Sequence, residues 1–136
     1  MPDSDQPTPV LRNRDGLPPA VLLVEDETLV ALMLRHVLED LGCQVVGWAT
    51  TADEAERLAA RTPPDLILMD IRLKGQRDGI AAAAVLQRRY RVPIVFVTAL
   101  NDRETLARAR RLAPAGVLLK PFAPEVLKEV LVRACR

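Results

Sequence analysis

The stretch Asp65-Leu66-Ile67-Leu68-Met69-Asp70-Ile71-Arg72-Leu73 constrains this chain more than any other: an unbroken apolar run stops abruptly at a carboxylate. Continuous rather than alternating hydrophobicity, as from Leu66 to Met69, marks a strand covered on both faces, and two-sided cover belongs to parallel sheets flanked by helices. The carboxylate then stands at the carboxyl end of a buried strand.

Five strand-then-helix units surround that feature. Ala20 to Glu25 reads as a strand, followed by a helix from Thr28 to Leu41 with Val30, Met33, Leu34, Val37 and Leu41 on one face and Gly42 as its stop. Gln44 to Ala49 is a second strand, and Thr51 with Glu54 has capping-box spacing for a helix that Pro63 and Pro64 end. After the Asp65 stretch, a loop containing Gly75 leads to a helix from Gly79 to Tyr90. Val92 to Thr98, rich in β-branched residues, is the fourth strand, and Asn101 with Glu104 is expected to open the fourth helix. Gly116 to Lys120 is the last strand, and Pro124 suits the first turn of a helix running to about Cys135, although Ala123 has no oxygen with which to cap it. Residues 1–19 hold five of the 11 prolines and are expected to be a flexible leader, leaving one domain over residues 20–136.

Strict alternation over this length implies an α/β architecture, a parallel sheet with helices on both faces and right-handed crossovers, hence a three-layer doubly wound domain. Ligands of such folds bind outside the carboxyl ends of the strands. Those ends carry Glu25 and Asp26, Asp70, Thr98, and Lys120. No G-x-G-x-x-G or Walker-type loop competes for the position. Three carboxylates in one partly dry pocket repel one another and stay ionised only beside a cation. Mg²⁺ held by oxygen ligands meets that need where phosphate is involved, and the Lys120 ammonium with the Thr98 hydroxyl suits phosphoryl oxygens. The pattern reads as a metal-assisted phosphoryl acceptor.

Other features narrow the class. With 19 Lys and Arg against 18 Asp and Glu, no global field attracts nucleic acid or an anionic membrane. Cys43 and Cys135 are too few for a disulfide framework or a zinc site, and no basic n-region or membrane-length apolar run occurs, so a cytoplasmic protein is expected.

Residues 20–136 resemble a receiver domain of a bacterial two-component response regulator, in a single-domain form like the chemotaxis regulators. The resemblance rests on Glu25-Asp26, Asp70, Thr98-Ala99 and Lys120-Pro121-Phe122, in the family's order and at suitable spacing. It implies a flavodoxin-like (βα)5 fold with strand order 2-1-3-4-5. It also implies Asp70 as the nucleophile that takes a phosphoryl group from a phosphohistidine, and Mg²⁺ held by Asp26, Asp70 and the backbone carbonyl of Arg72, with Glu25 acting through water. Thr98 and Lys120 would contact the phosphoryl oxygens, and Lys120-Pro121 would be cis. The partners implied are a sensor histidine kinase or histidine phosphotransfer protein and a downstream target protein. A homodimer through helix four, strand five and helix five is a further possibility, with no direct contact to nucleic acid or membrane.

Three departures bear on mechanism. The family usually places an aromatic three residues before the lysine, where this chain has Val117; a valine has no ring to relocate, so output is expected through movement of helix four or the loop after Thr98. The loop from Ile71 to Asp78 is a residue longer than the commonest form. Arg72 and Leu100 sit where side chains border the path of attacking water, which predicts slow hydrolysis of an acyl phosphate. Two other readings stand beside this one: a degenerate receiver working as a phosphorylation-independent interaction module, and an aspartyl phosphatase. The second needs an aspartate where Arg72 stands. Leu29 and Leu32 add apolar surface beside the acidic pair, either as core or as a docking patch; His36 and the arginines 103, 108, 110 and 111 read as solvated surface, and Trp48 as packing close enough to the pocket to report on it. Nothing follows the last helix, so a stand-alone domain or one separated from an effector is expected.

Overall fold

The computed structural model describes residues 10–135. Ten elements alternate without exception: β1 (Ala20–Val24), α1 (Thr28–Asp40), β2 (Gln44–Ala49), α2 (Ala52–Arg61), β3 (Leu66–Met69), α3 (Gly79–Tyr90), β4 (Ile94–Thr98), α4 (Arg103–Arg110), β5 (Gly116–Leu119) and α5 (Pro124–Ala134). All strand pairs are parallel and the sheet order is β2-β1-β3-β4-β5, as the resemblance implied.

Side chains of a strand alternate between faces, so each central strand feeds two cores. Leu22, Ile67, Met69, Ile94 and Phe96 pack under α2 and α3, with Ala109 of α4. Val21, Leu23, Leu66, Leu68, Val95 and Val97 pack under α1 and α5. Every residue of β3 and β4 is buried, which is the physical content of their unbroken apolar runs. The helix facing the first core is built from small residues, Ala52, Ala55 and Ala59 of α2, letting it approach the sheet closely. Gly42 closes α1 at φ +84°, a conformation that favours glycine, and a Cβ there would meet the Val10 side chain at 2.9 Å.

The structure moves four expectations. β4 begins at Ile94 rather than Val92, and the helix after it is capped by Asp102, whose side chain accepts from the Thr105 amide at 3.0 Å; Asn101 stays outside. At α2 the Thr51 hydroxyl accepts from Glu54 N as capping-box spacing predicts, but the Glu54 carboxylate reaches back to the amide of Thr50, one residue earlier than expected. Residues 1–9 of the expected leader lie outside the described residues, while residues 10–19 are not loose. The Leu11 amide donates to Leu41 O at 2.8 Å and its side chain is buried, and the Asn13 side chain folds a turn by accepting from Asp15 N and Leu17 N while donating to Asp65. Prolines dominate that segment's composition, but one buried leucine and one satisfied asparagine are enough to bind it to the end of α1 and the start of β3.

Candidate functional site

Register assembles the site at the carboxyl edge of the sheet. Val24 pairs with Met69, so the next residues, Glu25 and Asp70, emerge side by side, and the Asp70 amide continues the ladder by donating to Val24 O at 2.9 Å. Thr98 ends β4 opposite Leu119, and the Lys120 amide donates to Thr98 O at 2.8 Å, which sets Lys120 beyond the neighbouring strand. The peptide bond from Lys120 to Pro121 is cis, as the resemblance implied. Behind Asp70 the first turn of α3 packs so tightly that a Cβ on Gly79 would lie 1.9 Å from the Asp70 carbonyl oxygen. Backbone contact of that kind admits only glycine.

The structure therefore brings Glu25, Asp26, Asp70, Thr98 and Lys120 to one place. Asp26, Glu27, Asp70, Arg72, Thr98, Ala99, Leu100 and Lys120 line a cleft of about 480 Å³. Lys120 Nζ lies 3.2 Å from Asp70 Oδ2, 3.0 Å from Glu25 Oε1 and 3.3 Å from Glu27 Oε1. Asp70 Oδ1 accepts from the Arg72 amide at 3.3 Å, and the buried Thr98 hydroxyl accepts from the Leu100 amide at 3.1 Å. Below the cleft, Trp48 Nε1 donates to the Glu25 carbonyl at 2.7 Å. The indole thus touches the backbone of the acidic run.

The electrostatics are strained in the direction expected of an acidic cluster. Burial pushes the Glu25 carboxyl up to about 7; Lys120 pulls it back, and the neighbouring Asp70 charge raises it further. Burial pulls the Lys120 ammonium down, but Glu25 and Asp70 outweigh that and leave its pKa above the ordinary lysine value. Glu25, Asp26, Glu27 and Asp70 each place a carboxylate oxygen within 4.8 Å of the others. One lysine faces four carboxylates. The buried Glu25 Oε1 meets only the Lys120 ammonium, at 3.0 Å, and shares it with Asp70 and Glu27. Anionic oxygen left under-neutralised at a crowded acidic site is what a hard divalent cation with its water shell relieves, so the donor set fits such an ion.

Val117 is half-buried against the core under α2 and α3, at the aromatic's usual place. Leu29 and Leu32 are exposed, at 82% and 49%, which decides against core packing; His36 and Arg103, Arg110 and Arg111 are exposed as well. Arg108 is not merely solvated, since it pairs with Asp78, the cap of α3, at 3.2 Å. Two features escaped sequence reasoning. Arg77 ties the long loop after β3 to Asp53 and Glu56 of α2, and Glu27 turns toward Lys120. The third carboxylate in the run Glu25-Asp26-Glu27 was the available signal for the latter.

A doubly wound sheet that gathers carboxylates from β1 and β3, a hydroxyl from β4 and a lysine after β5 over one cleft defines a phosphoryl-receiving type of signalling domain. The chain belongs to the response regulator receiver domain family, whose model matches residues 21–132. It is 38% identical over 108 residues to the transcriptional regulatory protein PdtaR of Mycobacterium tuberculosis, covering 79% of this chain and 52% of that protein. It is 36% identical over 115 residues to the phyllosphere-induced regulator PhyR of Methylorubrum extorquens, covering 84% of this chain and 42% of PhyR. The chain thus spans about half the length of these curated relatives. Among solved structures, the receiver domain of a modulated diguanylate cyclase from Desulfovibrio desulfuricans superposes with a TM-score of 0.81 at 42% identity, covering 87% of this chain and 94% of that one. No helix among the described residues is long and apolar enough to cross a membrane.

Proposed function

We propose that this domain is a phosphoacceptor in which Asp70 takes a phosphoryl group from the phosphohistidine of a sensor histidine kinase or a histidine phosphotransfer protein. The observation that carries the reading is the buried Asp70 carboxylate, 4% exposed, held between the Lys120 ammonium at 3.2 Å and an under-neutralised acidic cluster. An Asp70 carboxylate oxygen attacks phosphorus as the P–N bond breaks, and the bonding pair stays on the imidazole nitrogen. The loose transition state of phosphoryl transfer asks for positioning and charge neutralisation rather than a strong nucleophile. Lys120 neutralises one equatorial oxygen, and the Thr98 hydroxyl, whose oxygen accepts from the Leu100 amide, still has its proton to donate to another. Asp26 and Asp70, the Arg72 carbonyl, and Glu25 through water are the groups that would hold Mg²⁺, which when bound supplies the remaining positive charge.

Leu29 and Leu32, exposed beside the cleft on α1, form the surface proposed to receive the phosphodonor. Leu119 and Val126, 43% and 42% exposed, lie on the α4–β5–α5 face proposed for a target protein or a second copy of the chain. A cytoplasmic setting follows from the kinase partnership. Val117 favours a second reading, an interaction module that works without phosphorylation. Incubation with Mg²⁺ and acetyl phosphate followed by intact-mass measurement separates the two: a labile phosphoryl adduct that disappears in Asp70→Asn supports the phosphoacceptor, and a wild type that takes up none supports the module.

A further inference from the structure

Glu27 occupies the N-cap position of α1 without capping it. Its backbone is extended, at φ −95° and ψ 113°, but its side chain accepts no hydrogen bond from the helix amides. Glutamate is a poor residue for that position, where Ser, Thr, Asp or Asn satisfies the first amides. Its carboxylate turns instead across the cleft mouth to Lys120 Nζ, 3.3 Å away and 93 residues distant in sequence. Lys120 is thereby held by three carboxylates of unequal freedom. Glu25 and Asp70 are 1% and 4% exposed and fixed by strand ends, whereas the Glu27 side chain is 62% exposed and can swing into water.

We infer that Glu27 is a positioning residue for Lys120, an exposed anionic arm that holds the ammonium over the acidic cluster until a phosphoryl group on Asp70 takes its place. The inference rests on the phosphoacceptor reading given above. A phosphoryl group carries more charge than a single carboxylate and binds beside Asp70, so it wins Lys120 from Glu27 and the arm lets go. Until then Glu27 acts against the incoming group twice, by occupying a donor of Lys120 and by presenting a negative charge at the mouth of the cleft. Both effects belong to an exposed charge, so both are screened by salt. Neither is a capping effect, because the helix does not use this side chain.

The experiment compares the full chain with Glu27→Gln, which keeps shape and removes charge, and Glu27→Asp, which keeps the charge on a shorter arm. The probe is beryllofluoride at saturating Mg²⁺, followed through Trp48 fluorescence, with Mg²⁺ alone titrated in parallel. Glu27→Gln is expected to bind beryllofluoride roughly two- to fivefold more tightly at low salt. That gain should vanish near ~1 M salt, where screening reaches about 3 Å. Glu27→Asp should remain close to wild type, and Glu27→Gln should weaken Mg²⁺ by no more than the roughly two- to fivefold that one exposed, screened charge accounts for. Equal beryllofluoride affinity of wild type and Glu27→Gln at low salt overturns the inference, as does a gain that persists unchanged in high salt. A tenfold or greater loss of Mg²⁺ affinity in Glu27→Gln overturns it too, by making Glu27 a metal ligand. A wild type that takes up neither beryllofluoride nor phosphoryl groups removes the phosphoacceptor reading itself, a different result from equal binding by the two proteins.

Discussion

Arg72 and Leu100 stand at the cleft two residues beyond Asp70 and Thr98, the first exposed and the second half-buried. A long cationic chain and an apolar one at that place are expected to narrow the approach of water to an acyl phosphate on Asp70. Arg72→Ala and Leu100→Ala are each expected to shorten the adduct's lifetime by up to about tenfold, equivalent to about 1.4 kcal/mol in the hydrolysis barrier. Decay of the adduct mass with time measures this, and unchanged lifetimes would remove the shield. Gly79 makes a different demand. With the Asp70 carbonyl 1.9 Å from where a Cβ would sit, Gly79→Ala must shift α3 or Asp70, at a cost of about 1–3 kcal/mol in denaturant unfolding. Asp70, Thr98, Lys120, Glu25 and Asp26 were legible in the sequence because a strand end is a position that periodicity locates. Glu27 was not, because the direction of a side chain at a helix start depends on whether its oxygen caps the helix, and here it does not.

At the scale of elements, the contact between Thr98 and the loop into α4 is the route by which output is expected to leave the site, since Val117 has no ring to relocate. The Thr98 hydroxyl accepts from Leu100 N at 3.1 Å, and Leu100 begins the short loop to Asp102, the cap of α4. A hydroxyl drawn toward a phosphoryl oxygen as donor would carry with it the oxygen that accepts from the Leu100 amide, and so would move the loop. Further along α4, Arg108 pairs with Asp78 on α3, so a displaced helix strains a contact beside the site. Backbone NMR shifts on adding beryllofluoride and Mg²⁺ are therefore expected to extend through Leu100 and Asp102 into α4. Shifts confined to the cleft would mean that the domain does not switch by this route. The start of α4 also shows where sequence reasoning has too little to decide with. Asn101 with Glu104 and Asp102 with Thr105 have the same spacing, and only the carboxylate at 3.0 Å from the Thr105 amide distinguishes them. The segment before β1 has a related limit: composition averages over prolines, while the contacts of residues 10–19 are set by Leu11 and Asn13. Its truncation, Leu11→Ala, is expected to cost about 2–3 kcal/mol, read from chemical unfolding, because the side chain is 8% exposed within the core under α1 and α5.

For the whole molecule, alternation of strand and helix was enough to reach a doubly wound parallel sheet, while the order of its strands followed only from the family resemblance, since periodicity does not say which strands are neighbours. The near-neutral total of +1 hides a local excess of carboxylate at one edge of the sheet. That excess is expected to make global stability depend on pH and, through the proposed Mg²⁺ site, on divalent cation. Glu25 has a carboxyl pKa pushed up to about 7 from an ordinary value of 4.5, so between those limits the folded protein binds more protons than the unfolded chain. Its contribution to stability is complete below about 4.5 and is lost as pH rises through 7, a loss on the order of 3 kcal/mol at most from the displacement of the titration. Replacing Glu25 by glutamine removes the titration but keeps the volume. Without divalent cation, Glu25→Gln should therefore gain on wild type in urea unfolding as pH rises from about 5 to 8, when the two are compared at each pH. Mg²⁺ at about 100 times its dissociation constant should then stabilise wild type by about 2.7 kcal/mol and favour the ionised carboxylates, flattening its pH dependence. A stability difference between the two proteins that does not change with pH in the absence of Mg²⁺ would show that burial of Glu25 is not what the acidic edge of the sheet costs the fold.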